Sequence, residues 1–160
     1  LKIIETETPL TKTTTKILDV MDVVIVPILR AGLGMVNGVT KLIPNAKIGY
    51  VGSERDHETH RPVDYYFKVP APSENQFYLV VDPMLATGGT AIATVEKLKN
   101  MGAETIKFIC LIAAPEGVTS FSESHPEVDV YSAALDEKLN SQKYIVPGLG
   151  DAGDRLFGTE

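Results

Sequence analysis

Short apolar runs alternate along the chain with stretches of helical spacing and polar links. Residues 23–29, Val-Val-Ile-Val-Pro-Ile-Leu, carry no polar interruption and are largely β-branched. Such a run predicts a strand buried on both faces. Arg30-Ala31-Gly32-Leu33-Gly34 reads as a turn, and 35–42 has the spacing of a helix that Pro44-Asn45 ends. Residues 47–52 read as a second strand and 53–62 are strongly polar. Residues 63–69, with Tyr65, Tyr66 and Phe67, predict an arm or edge strand. After a loop at 70–73 come a buried strand at 76–81, a loop at 82–89 and a helix at 90–100 that Gly102 stops. A strand at 106–112, a short helix at 116–124 ended by Pro126, and a strand at 128–132 follow. The opening residues, Leu1-Lys2-Ile3-Ile4-Glu5-Thr6-Glu7-Thr8, read as part of a strand. Glycine and proline in 144–154 suit a shaped loop instead of a regular element.

This alternation with short links predicts an α/β domain over 1–160, a parallel twisted sheet with helices on both faces. Ligands of such sheets bind beyond the C-terminal strand ends, near the reversal of strand order. The loops after Leu29, after Val81 and after Ile112 are therefore expected on one rim.

Composition narrows the function classes. The chain has 160 residues, a formal net charge of −6 and an average apolar content of 44%. The acidic balance argues against a nucleic-acid or membrane-surface binder, which carries a basic excess. No apolar run reaches the roughly 18–20 residues a membrane helix needs. The single cysteine, Cys110, sits in a strand-like run and reads as a small buried hydrophobe. With no signal-peptide pattern visible, a cytoplasmic protein is expected.

The sharpest chemical signal is Val80-Val81-Asp82-Pro83-Met84-Leu85-Ala86-Thr87-Gly88-Gly89-Thr90. A buried strand runs into an acid, a small-residue loop and a helix start. The free N–H groups and positive dipole end of a helix attract phosphate. Gly88 and Gly89 let backbone approach the oxygens, and the Thr87 and Thr90 hydroxyls add donors. Asp82 can face a sugar hydroxyl or a metal-bound water; the alternative is a helix cap. Neither the P-loop pattern nor the dinucleotide fingerprint is present.

The stretch resembles the phosphoribosyl pyrophosphate motif of type I phosphoribosyltransferases. Pro27-Ile28-Leu29-Arg30-Ala31-Gly32-Leu33-Gly34-Met35, Ala113-Ala114-Pro115-Glu116-Gly117 and the run 144–159 narrow the resemblance to uracil phosphoribosyltransferase. Pro83 and Ala86 stand where many purine-type relatives carry acids, a difference the uracil branch shares. Relative to the family, an N-terminal helical segment is expected to be missing ahead of Leu1.

The resemblance implies a type I phosphoribosyltransferase fold with a β-arm and a C-terminal base-binding loop. It implies transfer of the 5-phosphoribosyl group from phosphoribosyl pyrophosphate to uracil, giving UMP and pyrophosphate. Asp82, Pro83, Met84, Leu85, Ala86, Thr87, Gly88, Gly89 and Thr90 would cradle the ribose phosphate, with Arg30, Arg55 and Asp151 on the same substrate. Ile145, Gly150, Asp151 and Ala152 would read uracil. Arg30 and Asp151 are the catalytic candidates: Arg30 as a diphosphate contact, the alternative being a structural salt bridge, and Asp151 as base, as ligand to a metal-bound water or as positioner. Mg²⁺ is expected, held mainly by substrate phosphates and not by a protein cluster. Arg61, His57 and His60 share the polar loop without an assigned role. Asp154 and Arg155 read as a mutual scaffold pair. A homodimer or homotetramer is implied, with Tyr65–Phe67 as a candidate contact or as packing on their own core, and GTP as a possible effector. The rivals are an RNA-binding regulator on the same fold, an inactive family member, and a purine or orotate enzyme. The first lacks a basic face, the second is at odds with the intact loop residues, and the third with Pro83, Ala86 and the tail.

Overall fold

The computed structural model describes residues 1–17, 23–55 and 62–159, without the side chains of 53–55 and 62–64. In chain order the elements are β1 (Lys2–Glu7), β2 (Lys12–Ile17), β3 (Val23–Leu29), α1 (Leu33–Leu42), β4 (Lys47–Ile48), β5 (Tyr50–Arg55), β6 (Pro62–Lys68) and β7 (Phe77–Val81). They continue as β8 (Met84–Leu85), α2 (Gly89–Asn100), β9 (Thr105–Ala113), α3 (Pro115–Ser124), β10 (Asp129–Leu135), β11 (Lys138–Leu139), β12 (Ile145–Val146) and α4 (Ala152–Phe157).

The central sheet runs β10-β9-β7-β3-β5-β6, with β4 beside β3 and β8 beside β9. All its pairs are parallel except β5–β6, which makes β6 an antiparallel edge. From β3 the chain moves outward to β5 and β6, then returns to lay β7 on the other flank of β3. The strand order reverses between β3 and β7, the place where such sheets open a crevice.

Burial explains the apolar runs. Val24, Val26 and Ile28 of β3 pack with Tyr78, Val80 and Phe108 against Val95 and Leu98 of α2 and Phe121 of α3. The opposite side, Ile25, Leu79 and Val81, is covered by Met35 and Val39 of α1. Helices therefore lie on both faces, as the α/β reading expects. Each fully buried Leu, Val or Phe contributes about 1.5–3 kcal/mol. Cys110 is buried in the α2–α3 layer, and burial pushes its thiol pKa up.

Several boundaries differ from the sequence reading. The strand expected at 47–52 is two pieces, broken at Gly49, whose N–H donates to Ile25 O at 2.9 Å. A Cβ at Gly49 would lie 2.8 Å from the Val69 Cα, so only glycine lets the arm cross there. The polar stretch after it is partly strand, since β5 reaches Arg55 and β6 begins at Pro62. Loop 82–89 contains the short β8, and the tail contains β12 and α4. The strand expected at the start is half of a separate hairpin, β1 with β2. Tyr65, Tyr66 and Phe67 remain 54%, 43% and 41% exposed, so the arm is not buried in its own core.

The helix stops follow their predicted chemistry. Gly102, at φ +98°, donates to Lys99 O while Ala103 N–H returns to Leu98 O. These two hydrogen bonds close α2 as a glycine C-terminal motif does. Pro115 opens α3, where its missing N–H costs nothing.

Candidate active site

Three loops meet at the crevice. The first begins at Arg30, directly after β3. Its turn is tight: a Cβ at Gly32 would lie 2.5 Å from Val81 O and 2.6 Å from Ile28 O. Only glycine lets the turn press against the end of β7.

The second loop follows β7. Asp82 N–H donates to Ile109 O at 3.2 Å and its Oδ1 accepts from Met84 N–H at 3.2 Å. Pro83 O accepts from Leu111 and Ile112 N–H groups, each at 3.0 Å, and Leu85 O from Ala114 N–H at 2.9 Å. The extended pairing of β8 with β9 alternates the residues. Pro83 and Leu85 are buried, whereas Asp82, Met84, Ala86 and Thr90 line the crevice. Gly88 then turns left-handed at φ +83° and starts α2 with no side-chain cap. The first N–H groups of α2 are thus not covered by a capping side chain, apart from a long 3.5 Å approach of Gly89 N to Thr87 Oγ1.

The third loop is the tail. The β11–β12 hairpin turns on Asn140, whose Oδ1 accepts from Gln142 and Tyr144 N–H groups at 2.9 Å each. Gly148, at φ +52°, donates to Asp136 Oδ2 at 2.9 Å. Asp151 caps α4 by accepting from Asp154 N–H at 2.9 Å.

The second and third loops enclose one cavity of about 570 Å³. Asp82, Met84, Ala86 and Thr90 stand on one side and Ile145, Gly150, Asp151 and Ala152 on the other. Burial, and then the neighbouring Asp151 charge, push the Asp82 carboxyl up to about 7, against the Met84 hydrogen bond that lowers it. Asp82 and Asp151 thus line the same cavity, and burial is the main reason the Asp82 proton is held.

Arg30 lies just outside this lining. Its Nη2 donates to Asp154 Oδ1 at 2.9 Å and its Nη1 to Thr159 Oγ1 at 3.2 Å. The Thr159 hydroxyl also donates to Asp154 Oδ1 at 2.5 Å. The hydroxyl first, and then the guanidinium, hold the Asp154 carboxyl below the usual carboxylate range. The expected Asp154–Arg155 pair is therefore not formed: Arg155 Nη1 instead donates to Leu149 O at 3.3 Å. Adjacent residues on a helix point in different directions, which is why sequence adjacency misleads here.

Arg55 closes β5, and its side chain lies outside the description; His57, His60 and Arg61 lie outside the described residues altogether. The cavity also takes in Gln142, Lys143 and Tyr144, which the sequence reading did not single out as ligands. The only local signal was their position just ahead of the glycine-rich run. Among the described residues no group of three His, Cys, Asp or Glu side chains is placed to hold a metal.

A mostly parallel sheet whose second loop enters a helix through a Thr-Gly-Gly turn, facing a C-terminal loop, is the fold of type I phosphoribosyltransferases. A crystal structure of an adenine phosphoribosyltransferase from Giardia lamblia superposes with a TM-score of 0.58 at 18% identity, covering 74% of this chain and 72% of that one, and shares the fold alone. A protein structure from Aquifex aeolicus superposes with a TM-score of 0.89 at 38% identity over 99% of this chain and 76% of that one. The family model described as uracil phosphoribosyltransferase matches residues 1–159. Relatives of that name from Ligilactobacillus salivarius and Lysinibacillus sphaericus are each 62% identical over 157 residues, covering 98% of this chain and 75% of theirs. The chain belongs to the uracil phosphoribosyltransferase family.

Proposed function

We propose that this chain transfers the 5-phosphoribosyl group from phosphoribosyl pyrophosphate to uracil, releasing pyrophosphate and forming UMP, in pyrimidine salvage. Family membership supports the reading. The structural observation behind it is the shared cavity, where the uncapped start of α2 faces the tail loop across Asp82 and Asp151.

In this reading the N–H groups of 86–90 and the Thr87 and Thr90 hydroxyls hold the 5′-phosphate. Pro83 and Leu85 fix the loop from the core side, and Asp82 accepts the ribose hydroxyls. Arg30, already aimed by Asp154 and Thr159, takes the diphosphate with Arg55. As the C1–oxygen bond breaks, positive charge grows on the ribose and negative charge on the leaving group. Fixed N–H groups and guanidinium stabilise the latter. The backbone of 145–152 reads the carbonyl and N–H edge of uracil. Cytosine would turn an amino group toward a donor, which leaves a buried donor unpaired.

Mg²⁺ fits this site as a companion of the substrate. Asp82 and Asp151 both line the cavity, and their carboxylates would face a dication carried in by the substrate phosphates. Such a dication would offset negative charge on the pyrophosphate leaving group. Asp151 then serves as base, as partner to a metal-bound water or as positioner of the base loop.

A homodimer or homotetramer built partly on the exposed arm, a cytoplasmic location and response to GTP complete the proposal on the strength of the resemblance. No helix among the described residues is long and apolar enough to cross a membrane.

The test is pyrophosphate release with uracil, cytosine, orotate and hypoxanthine as separate acceptors. Release with uracil alone is expected. Release with a purine, or with none of the four, overturns the assignment.

A further inference from the structure

The run Ala113-Ala114-Pro115-Glu116-Gly117 touches no substrate in the reading above, yet both substrate loops rest on it. On one side, Ala114 N–H donates to Leu85 O at 2.9 Å. Gly117 lies so close beneath the same loop that a Cβ would fall 2.2 Å from Ala86 O and 2.8 Å from Leu85 O. Seen from above, a Cβ on Gly88 would stand 3.1 Å from Gly117 O.

On the other side, Ala113 O accepts from Asp136 N–H at 2.9 Å, and Glu116 Oε1 accepts from Leu139 N–H at 2.9 Å. Leu139 sits directly opposite Ile145 in the β11–β12 pair. Asp136 carries the segment further, since its carboxylate takes the Gly148 N–H. The segment is thus held at Asp136, ahead of β11, and at Leu139, the last residue of β11.

We propose that this turn is a common seat that sets the spacing of the two substrate loops, with Glu116 as a positioning residue for the base loop and Gly117 for the phosphate loop. The proposal rests on the assignment of those loops to uracil and to phosphoribosyl pyrophosphate. The Leu139 N–H, and to a lesser degree Lys143 and Lys138, hold the Glu116 carboxyl below its ordinary range. It is therefore an anion, and a strong acceptor, at neutral pH. Glu116 is itself exposed and points at a backbone N–H, so its loss leaves no hole in the core.

Separate KM values for the two substrates test the division of labour. Glu116→Ala is expected to raise the uracil KM about threefold to tenfold while the phosphoribosyl pyrophosphate KM stays within about twofold. Glu116→Gln, which keeps an acceptor oxygen, is expected to recover most of that loss. Gly117→Ala is expected to raise the phosphoribosyl pyrophosphate KM instead; if that variant does not fold, the Glu116 pair decides. Equal changes in both KM values, no change in either, or a glutamine variant as impaired as alanine overturn the proposal. Amide hydrogen exchange gives a readout independent of turnover. Residues 139–148 are expected to exchange faster in Glu116→Ala, with 86–90 unchanged. Unchanged exchange at 139–148 refutes the seat even if the protein acts on another base.

Discussion

Asp154 Oδ1 stands 2.9 Å from Arg30 Nη2, joining the end of β3 to a helix that begins more than a hundred residues later. The backbone N–H of the same Asp154 is held by Asp151. The Asp151 carboxylate and the Arg30 guanidinium are therefore connected through one residue. The pair is half exposed on the arginine side, with side-chain exposures of 50% and 29%, so its own contribution to stability is small. Its consequence is aim: an arginine already directed loses less freedom on gripping an anion.

Arg30→Ala is expected to lower kcat/KM for phosphoribosyl pyrophosphate about tenfold to a hundredfold, the range for charge-assisted hydrogen bonds. Asp154→Ala is expected to cost no more than about fivefold, and nothing further in the Arg30→Ala background. Steady-state kinetics on the four proteins of the cycle check this. Unchanged kinetics in Arg30→Ala remove it from the site.

Asp151 has two separable duties. Its side chain caps α4 and its charge faces Asp82. Asparagine caps a helix about as well as aspartate, whereas alanine loses about 0.5–2 kcal/mol. Asp151→Asn is therefore expected to keep the wild-type Tm while kcat falls about tenfold or more. Asp151→Ala is expected to lose both. Wild-type kcat in the asparagine variant discards a chemical role.

Asp82 sets the pH response. Its carboxyl titrates at about 7 in the folded chain against an ordinary 3.8. The folded state thus binds more protons than the unfolded state between those values. This contribution to stability is full below about pH 3.8 and is lost as pH rises to and through about 7. Asp82→Asn is expected to flatten the fall of Tm between about pH 4 and 7 while turnover drops. Free-enzyme kcat/KM is expected to show an acid limb near pH 7. That limb shifts to lower pH in Asp151→Asn, where the neighbouring charge is gone. A limb that stays in place in that variant counts against the coupling.

Gly148 and Gly150 both sit at positive φ, +52° and +79°. They differ in room: a Cβ at Gly148 would lie 2.2 Å from Ile145 O, whereas the space around Gly150 is open. Gly150→Ala incurs only left-handed strain, about 1–2 kcal/mol. Gly148→Ala must also displace the backbone of β12. Thermal melts are expected to show the larger Tm loss in Gly148→Ala, with the larger rise in uracil KM. A reversed order contradicts the described loop.

The parts legible in sequence were those in which one local rule dominates. Val23–Leu29 and Phe77–Val81 are uninterrupted β-branched and apolar runs, and they are the buried middle of the sheet. The α2 entrance was visible because glycine and threonine after a buried strand have a specific backbone use. β2 was not, because Lys-Thr-Thr-Thr-Lys-Ile has no apolar alternation and pairs only with β1. α4 was hidden by Gly153 and by its six-residue length. The Asp154–Arg30 pair and the Glu116 mooring depend on contacts between distant segments, which no local pattern encodes. Lys143, at φ +68° beside the cavity, belongs with them.

The central claim is that a single cavity holds a sugar phosphate at the start of α2 and a pyrimidine on the tail loop. A crystal structure of the chain with UMP tests it most directly. The account predicts the 5′-phosphate within hydrogen-bond distance of the 86–90 N–H groups and the uracil edge on the backbone of 145–152, with Asp82 on the ribose hydroxyls. A nucleotide bound with its phosphate away from α2, or its base away from the tail loop, would contradict it.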